Sequence, residues 1–355
     1  MKRRILLLLV AVMLLLPACG KEETVDEASP SPSPTVTATP SPTPEVKRGP
    51  TNPLTGEEMD EEQTKARPIA IMLNNIKRAL PQLGNSQADI LYEALAEGGI
   101  TRLLGVYQSV DGVGEIGSVR SSRPYYLELA LGLDAIYMHA GGSDAAYANI
   151  KAWNVTALDC VRTNAYSKVF WRDQGRIKNN GLEHSVLTSG EAITENFPNY
   201  SFRQTHEEGY TLPYTFAPDA APAGGQTANT LTVPFSSYKT GVFRYDAESK
   251  KYLVEEYGAP FIDGNTGEQL AFTNVVVIQT TCKTIDDYGR MRVDLSGYSG
   301  NGYFAAGGKC IPITWEKADL NSPICYKTLA GEDVTFAVGN SYVNIIPNTN
   351  QVTIE

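Results

Sequence analysis

The chain has 355 residues, 42% of them hydrophobic and 20% charged, with a formal charge of −10 at pH 7. That length suffices for two domains with their own cores. The acidic balance argues against nucleic acid as a partner and against broad contact with anionic lipid.

Lys2, Arg3 and Arg4 precede an apolar run from Ile5 to Leu16, and Pro17-Ala18-Cys19-Gly20 follows. A positive start, a short apolar stretch and a small residue before the cut predict a secretory signal over residues 1–18. The stretch is too short to span ~30 Å of hydrocarbon. A cysteine directly after Leu-x-Ala predicts lipidation at Cys19 and a site on the extracytoplasmic face of a bacterial membrane. Cleavage there removes three cations and no acid, leaving the mature chain more acidic still. Membrane attachment must then come from acyl chains, at ~0.8 kcal/mol per buried methylene. Residues 19–50 carry Ser29-Pro30-Ser31-Pro32-Ser33-Pro34 and Thr39-Pro40-Ser41-Pro42-Thr43-Pro44. Such a segment has little apolar surface to offset ordering entropy, and its prolines extend it into a spacer.

Residues 51–215 alternate strand and helix patterns, which predicts a mixed α/β domain. Pro68–Leu73, Gly105–Ser109 and Ala135–His139 read as strands, Tyr125–Leu133 and Asp144–Trp153 as helices. Asp89, Glu93 and Glu97 recur every four residues before Gly98-Gly99, the spacing of one acidic helix face with a glycine stop. Such a face is either solvated or compensated by cations or a metal. A Pro-, Ala- and Gly-rich stretch places a linker at residues 216–230. Residues 231–355 are expected to be mostly β. Val242–Asp246 and Lys251–Glu255 form a hairpin pattern, followed by strands at Val275–Gln279, Ile311–Trp315, Val334–Val338 and Tyr342–Ile346.

Cys160, Cys282, Cys310 and Cys325 show no zinc-ligand spacing. An oxidising exterior permits bridges, with Cys282–Cys325 or Cys310–Cys325 as candidates; the alternative is buried thiols. Trp315 reads as core. His206 reads as exposed, and Asp286, Asp287, Arg290 and Arg292 read as a charged hairpin tip.

The candidate site lies between Asp89 and Ser143. Arg102 follows the glycine pair, and Gly117-Ser-Val-Arg120-Ser121-Ser122-Arg123-Pro124 adds two arginines and two hydroxyls at the start of a predicted helix. The guanidinium fork suits carboxylate or phosphate, and a helix start offers free N–H groups. His139-Ala-Gly141-Gly142-Ser143-Asp144 is a strand, a glycine turn and a helix cap, where backbone can approach a ligand closely. No Lys-Ser/Thr follows the glycines, so this is not a Walker loop. Arg102, Arg120, Ser121, Arg123, His139, Gly141, Gly142 and Ser143 are thus expected to bind a ligand, with Asp89, Glu93 and Glu97 as the cation candidates. A hydrolase using Ser143 would need His139 or His184 beside it. In the bland alternative the arginines only pair with Glu93, Glu97 or Glu128.

These stretches, with Arg67-Pro68-Ile-Ala-Ile-Met72, Ala88-Asp89-Ile-Leu-Tyr92-Glu93, Glu97-Gly-Gly-Ile-Thr-Arg102 and Phe170-Trp171-Arg172, resemble the YerB-like lipoproteins. The resemblance runs from about Asn52 to the end and implies an envelope location without supplying a reaction. It departs at Leu182-Glu183-His184-Ser185, where relatives carry a Pro-His-Asn-type string, which weakens a catalytic role for His184. The order of acidic segment, Ser-Val-Arg and Ala-Gly-Gly is also similar to LytR–CpsA–Psr proteins. That likeness implies arginines on a lipid-linked pyrophosphate and acids on Mg²⁺. The expected role is therefore an envelope lipoprotein binding an anionic wall or glycan ligand, with phosphotransfer or protein docking as alternatives.

Overall fold

The computed structural model describes residues 49–162 and 168–355, so the expectations for residues 1–48, Cys19 included, lie outside the described residues. Eleven strands form the central sheet. In spatial order, ten are Gln226–Thr227, Lys309–Lys317, Tyr298–Ala306, Asn274–Thr280, Ser341–Pro347, Ile90–Leu95, Thr101–Tyr107, Ile69–Asn74, Ile136–His139 and Ala157–Asp159. Cys325–Thr328 pairs beside Lys309–Lys317 as the eleventh. Ser341–Pro347 runs parallel to both of its neighbours, Asn274–Thr280 and Ile90–Leu95. This late strand thus seats between early and late segments and makes their sheet continuous.

Alternation explains why these segments read as unbroken apolar runs. Ile69, Ile71 and Leu73 belong to one core, while Ala70 and Met72 belong to the core on the opposite face. Val275 and Val277 likewise face away from Val276 and Ile278. With a side-chain period of two, a strand buried on both faces must be apolar throughout. A six-stranded sheet, including Thr230–Pro234, Thr240–Asp246 and Lys251–Glu256, covers one face through Leu231, Phe243 and Val254. The helix Pro124–Gly132 lies on the other, burying Tyr126, Leu127 and Ala130. The fold class expected from the sequence is the one observed: helices with sheet towards the N-terminus, mostly strands towards the C-terminus.

Three expectations need correction, and one left open is decided. The stretch 89–97 is not a helix; Ile90–Leu95 is a fully buried strand. Its six residues are too few to show helical periodicity, and its apolar side chains point both ways. The linker region contributes strands, Thr215–Ala217 against Thr335–Ala337 and Gln226–Thr227 at the edge of the central sheet. Of the two readings left open for Cys160, Cys282, Cys310 and Cys325, the structure shows free thiols. Burial pushes the Cys282 and Cys310 thiols up to about 12. His206 is half-buried, bonded to Asp134 at 2.8 Å and stacked on Tyr210 at 4.0 Å. Trp315 is core, as expected, with its indole N–H on the Gln279 carbonyl at 3.1 Å.

Candidate functional site

Two of the three site arginines meet at a single carboxylate. Arg102 projects from Thr101–Tyr107, donating to Glu97 Oε2 at 2.9 Å and to the Ser121 carbonyl at 2.7 Å. Arg123 immediately precedes Pro124–Gly132, pairs with Glu97 Oε1, and donates to the Ser122 carbonyl at 2.6 Å. The helix is fixed there by Tyr125 and Tyr126, whose hydroxyls donate to the carbonyls of Leu95 and Ala94. One carboxylate against two guanidiniums leaves this cluster a net positive charge. Arg120 stands apart, held by Glu183 at 3.2 Å.

The glycine turn is arranged around Asp159. The Gly141 amide donates to Asp159 Oδ1 at 2.8 Å and the Tyr147 hydroxyl to Oδ2 at 2.7 Å. His139 is buried, with Nδ1 on the Gly141 carbonyl at 2.8 Å and 3.8 Å from Asp159 Oδ1. Burial is the main reason its pKa lies below the ordinary value. Gly142 bridges Ser122, and Ser121 lies across from Gly141. Ser143 Oγ accepts from Ala146 N at 3.2 Å, capping Asp144–Ala152. His184 Nδ1 instead meets Asn74 Nδ2 at 2.8 Å. Each member of the conjectured serine–histidine pairs is therefore engaged elsewhere.

The acids proposed for a cation are not brought together. Asp89 accepts from Asn52 at 2.9 Å and from Gln108 N at 2.6 Å. Glu93 sits inside the sheet with Thr101, Tyr342 and Lys239. Glu97 faces the two arginines. Four residues along a strand span about 13 Å, too far for two of these carboxylates to share an ion. Among the described residues no group of three or more His, Cys, Asp or Glu is disposed to hold a metal. The side chains do not fit the Mg²⁺ that the LytR–CpsA–Psr likeness implied.

What the fold builds is a groove of about 500 Å³ between the two helices and the Cys282–Val293 hairpin. Arg123, Trp153, Arg290, Arg292, Leu295 and Tyr298 are among its lining. Ser143 also reaches it; Arg102 and Arg120 do not. Every arginine here has a carboxylate partner. Arg290 pairs with Asp286 at 3.3 Å and Arg292 with Asp294 at 2.7 Å, while Arg292 also donates to the Tyr298 hydroxyl at 3.2 Å. Glu128 accepts from Ser296 N at 2.9 Å. Among the described residues, two polar atoms of the wall, Arg123 Nε and Ser296 Oγ, are buried without a partner. Sequence reasoning treated Arg290 and Arg292 as a mere hairpin tip. The available signal was Lys283 and Arg292, like charges placed directly opposite in the hairpin register, an arrangement that costs stability.

Two family models match, described as the N-terminal and C-terminal domains of a protein of unknown function, DUF3048, over residues 54–203 and 231–343. The putative lipoprotein YerB of Bacillus subtilis is 29% identical over 304 residues, which is 85% of this chain and 88% of that one. The crystal structure of the Bacillus subtilis YerB protein aligns with a TM-score of 0.75 at 28% identity. That alignment covers 86% of this chain and 99% of the other. Among the described residues no helix is long and apolar enough to cross a membrane.

Proposed function

The chain belongs to the DUF3048 family, and from that premise we propose that it is a membrane-anchored envelope lipoprotein that binds an anionic wall glycan in the groove beside Arg123. The lipidation signal at Cys19 and the likeness to a putative lipoprotein support the address. The observation that carries the ligand is the groove's mixture of aromatic wall and arginine–carboxylate pairs.

A sugar presents apolar C–H faces alongside hydroxyls that donate and accept at once. Trp153 and Tyr298 offer surface for the first. The Arg290–Asp286 and Arg292–Asp294 pairs offer donors and acceptors side by side for the second. Because Arg290 and Arg292 each have their own carboxylate and only Arg123 shares one, the groove does not favour a polyanion. It suits a glycan with an isolated carboxylate, set against the Arg123 guanidinium in the groove wall. No step of phosphoryl transfer follows from these residues.

The test is titration of the full-length chain in micelles with a muramic-acid-containing disaccharide, read by tryptophan fluorescence. Saturable quenching is expected, lost in Trp153→Ala and weakened about tenfold by a carboxylate-free disaccharide. Quenching that persists in Trp153→Ala removes the groove from the function.

A further inference from the structure

A second cluster of cations lies away from the groove, at the turn Gly181–Ser185. Three successive carbonyls of this turn accept from three different arginines. Arg172 Nη1 donates to Leu182 at 2.6 Å, Arg120 Nη1 to Glu183 at 3.1 Å, and Arg176 Nε to His184 at 2.9 Å. A fourth guanidinium, Arg78, lies 3.6 Å from where a Cβ on Gly181 would stand. Asn180 Nδ2 ties the two segments together through the Arg78 carbonyl at 2.8 Å.

The balancing charge is small. Glu183 meets Arg120, but its side chain is 74% exposed, so the pair is weak. Asp173 caps Arg176 N at 2.6 Å, and its charge and that of Glu115 offset Arg176, leaving the other cations in excess. Among the described residues the Arg78 guanidinium and the ammonium groups of Lys77 and Lys178 form no hydrogen bond or ion pair; Arg78 is engaged only through its carbonyl. Among the described residues Arg172 donates through Nη1, to Leu182 and to Ser185 Oγ. In a chain of net charge −10, this is a local excess of cations with unspent, fork-shaped donors.

We propose that the Gly181–Ser185 turn is a phosphate-binding site, with Arg78 and Arg172 as direct donors and Lys77 and Lys178 supplying the field. A multiply charged tetrahedral anion matches this excess, as the balanced groove does not. The phosphate could belong to a free or polymer-borne pyrophosphate or to a lipid headgroup, and the chemistry of recognition is shared. His184 reports on occupancy. It is buried in the turn, and its pKa lies below the ordinary value through burial first and the Arg120 charge second; Glu183 opposes this, while Arg78 and Arg176 add to it. An anion placed there must raise it.

The experiment follows the His184 ring resonance of the full-length chain in micelles during titration with inorganic pyrophosphate and, separately, glycerophosphoglycerol. A saturable shift is expected, with the His184 pKa moving upward and affinity falling steeply with salt. A response to pyrophosphate alone assigns a free or terminal phosphate; an equal or stronger response to glycerophosphoglycerol assigns a headgroup-type diester. The variant Lys77→Ser/Arg78→Ser touches no intramolecular side-chain partner and should weaken binding at least tenfold, while Trp153→Ala should not. No shift with either probe, or undiminished binding in the double variant, overturns the proposal and leaves the glycan groove untouched.

Discussion

Lys239 and Glu93 meet at 3.3 Å in the interior, joining the strand Ile90–Leu95 to the turn before Thr240–Asp246. Both side chains are 1% exposed, and Lys239 also holds Glu256. The Glu93 carboxylate is completed by Asn75 at 2.8 Å, Thr101 at 2.6 Å and Tyr342 at 2.6 Å. Early and late segments thus share one polar network within the core. Removing the cation leaves the buried Glu93 carboxylate, and above pH 7 that of Glu256, unanswered, which costs about 3–5 kcal/mol. Lys239→Met should therefore lower the urea midpoint sharply, and adding Glu93→Gln and Glu256→Gln should recover some of the loss. A Lys239→Met cost below about 1 kcal/mol would contradict the network.

The same network makes stability depend on pH. Burial raises Glu256 to about 7, against the opposing pull of Lys239. The folded state then holds a proton that the unfolded chain releases near the ordinary carboxylate value of about 4.5. A raised folded pKa contributes stability that is complete below the unfolded value and is lost as pH rises through 7. Unfolding free energy should fall as pH rises from the ordinary carboxylate value through 7. Glu256→Gln should flatten that slope. A wild-type slope of the opposite sign would place another group in control.

Glu93 also marks where sequence reading ends. The strands Ile69–Asn74 and Ile136–His139 were legible because an apolar run bounded by polar residues has few other uses. The same logic failed at Ile90–Leu95, where Glu93 interrupts the run and the four-residue recurrence of acids imitates a helix face. Its partner Lys239 lies far along the chain, and no local pattern foretells that contact. Site arginines were legible as residue types but not in their company. That Arg102 and Arg123 share Glu97, and that Arg123 joins Arg290 across the groove, depends on strand order alone.

Glu97 carries two guanidiniums, so its loss should exceed the loss of either. In Glu97→Gln the buried Arg102, with 5% of its side chain exposed, keeps its charge without a counter-ion. We expect about 3 kcal/mol of destabilisation by thermal or urea unfolding. Arg123→Ala still leaves Glu97 paired to Arg102 at 2.9 Å and should cost less. Equal costs for the two variants would mean that the carboxylate is not the shared anchor.

Glycine is required for different reasons at two positions, and substitution should separate them. Gly141 has φ of +76°, yet a Cβ there would meet nothing closer than Ser121 Oγ at 3.7 Å. Alanine should cost only the left-handed backbone penalty, about 1–2 kcal/mol, with the turn to Asp159 retained. At Gly302, in the strand Tyr298–Ala306, an added Cβ would stand 2.2 Å from the Val277 carbonyl oxygen. No rotation of a side chain relieves a clash with backbone, so Gly302→Ala must push apart neighbouring strands of the central sheet. It should destabilise by more than about 3 kcal/mol or prevent folding, whereas Gly141→Ala should purify normally with a modestly lower midpoint. A Gly302→Ala protein as stable as Gly141→Ala would show that the pairing of Tyr298–Ala306 with Asn274–Thr280 is looser than the register implies.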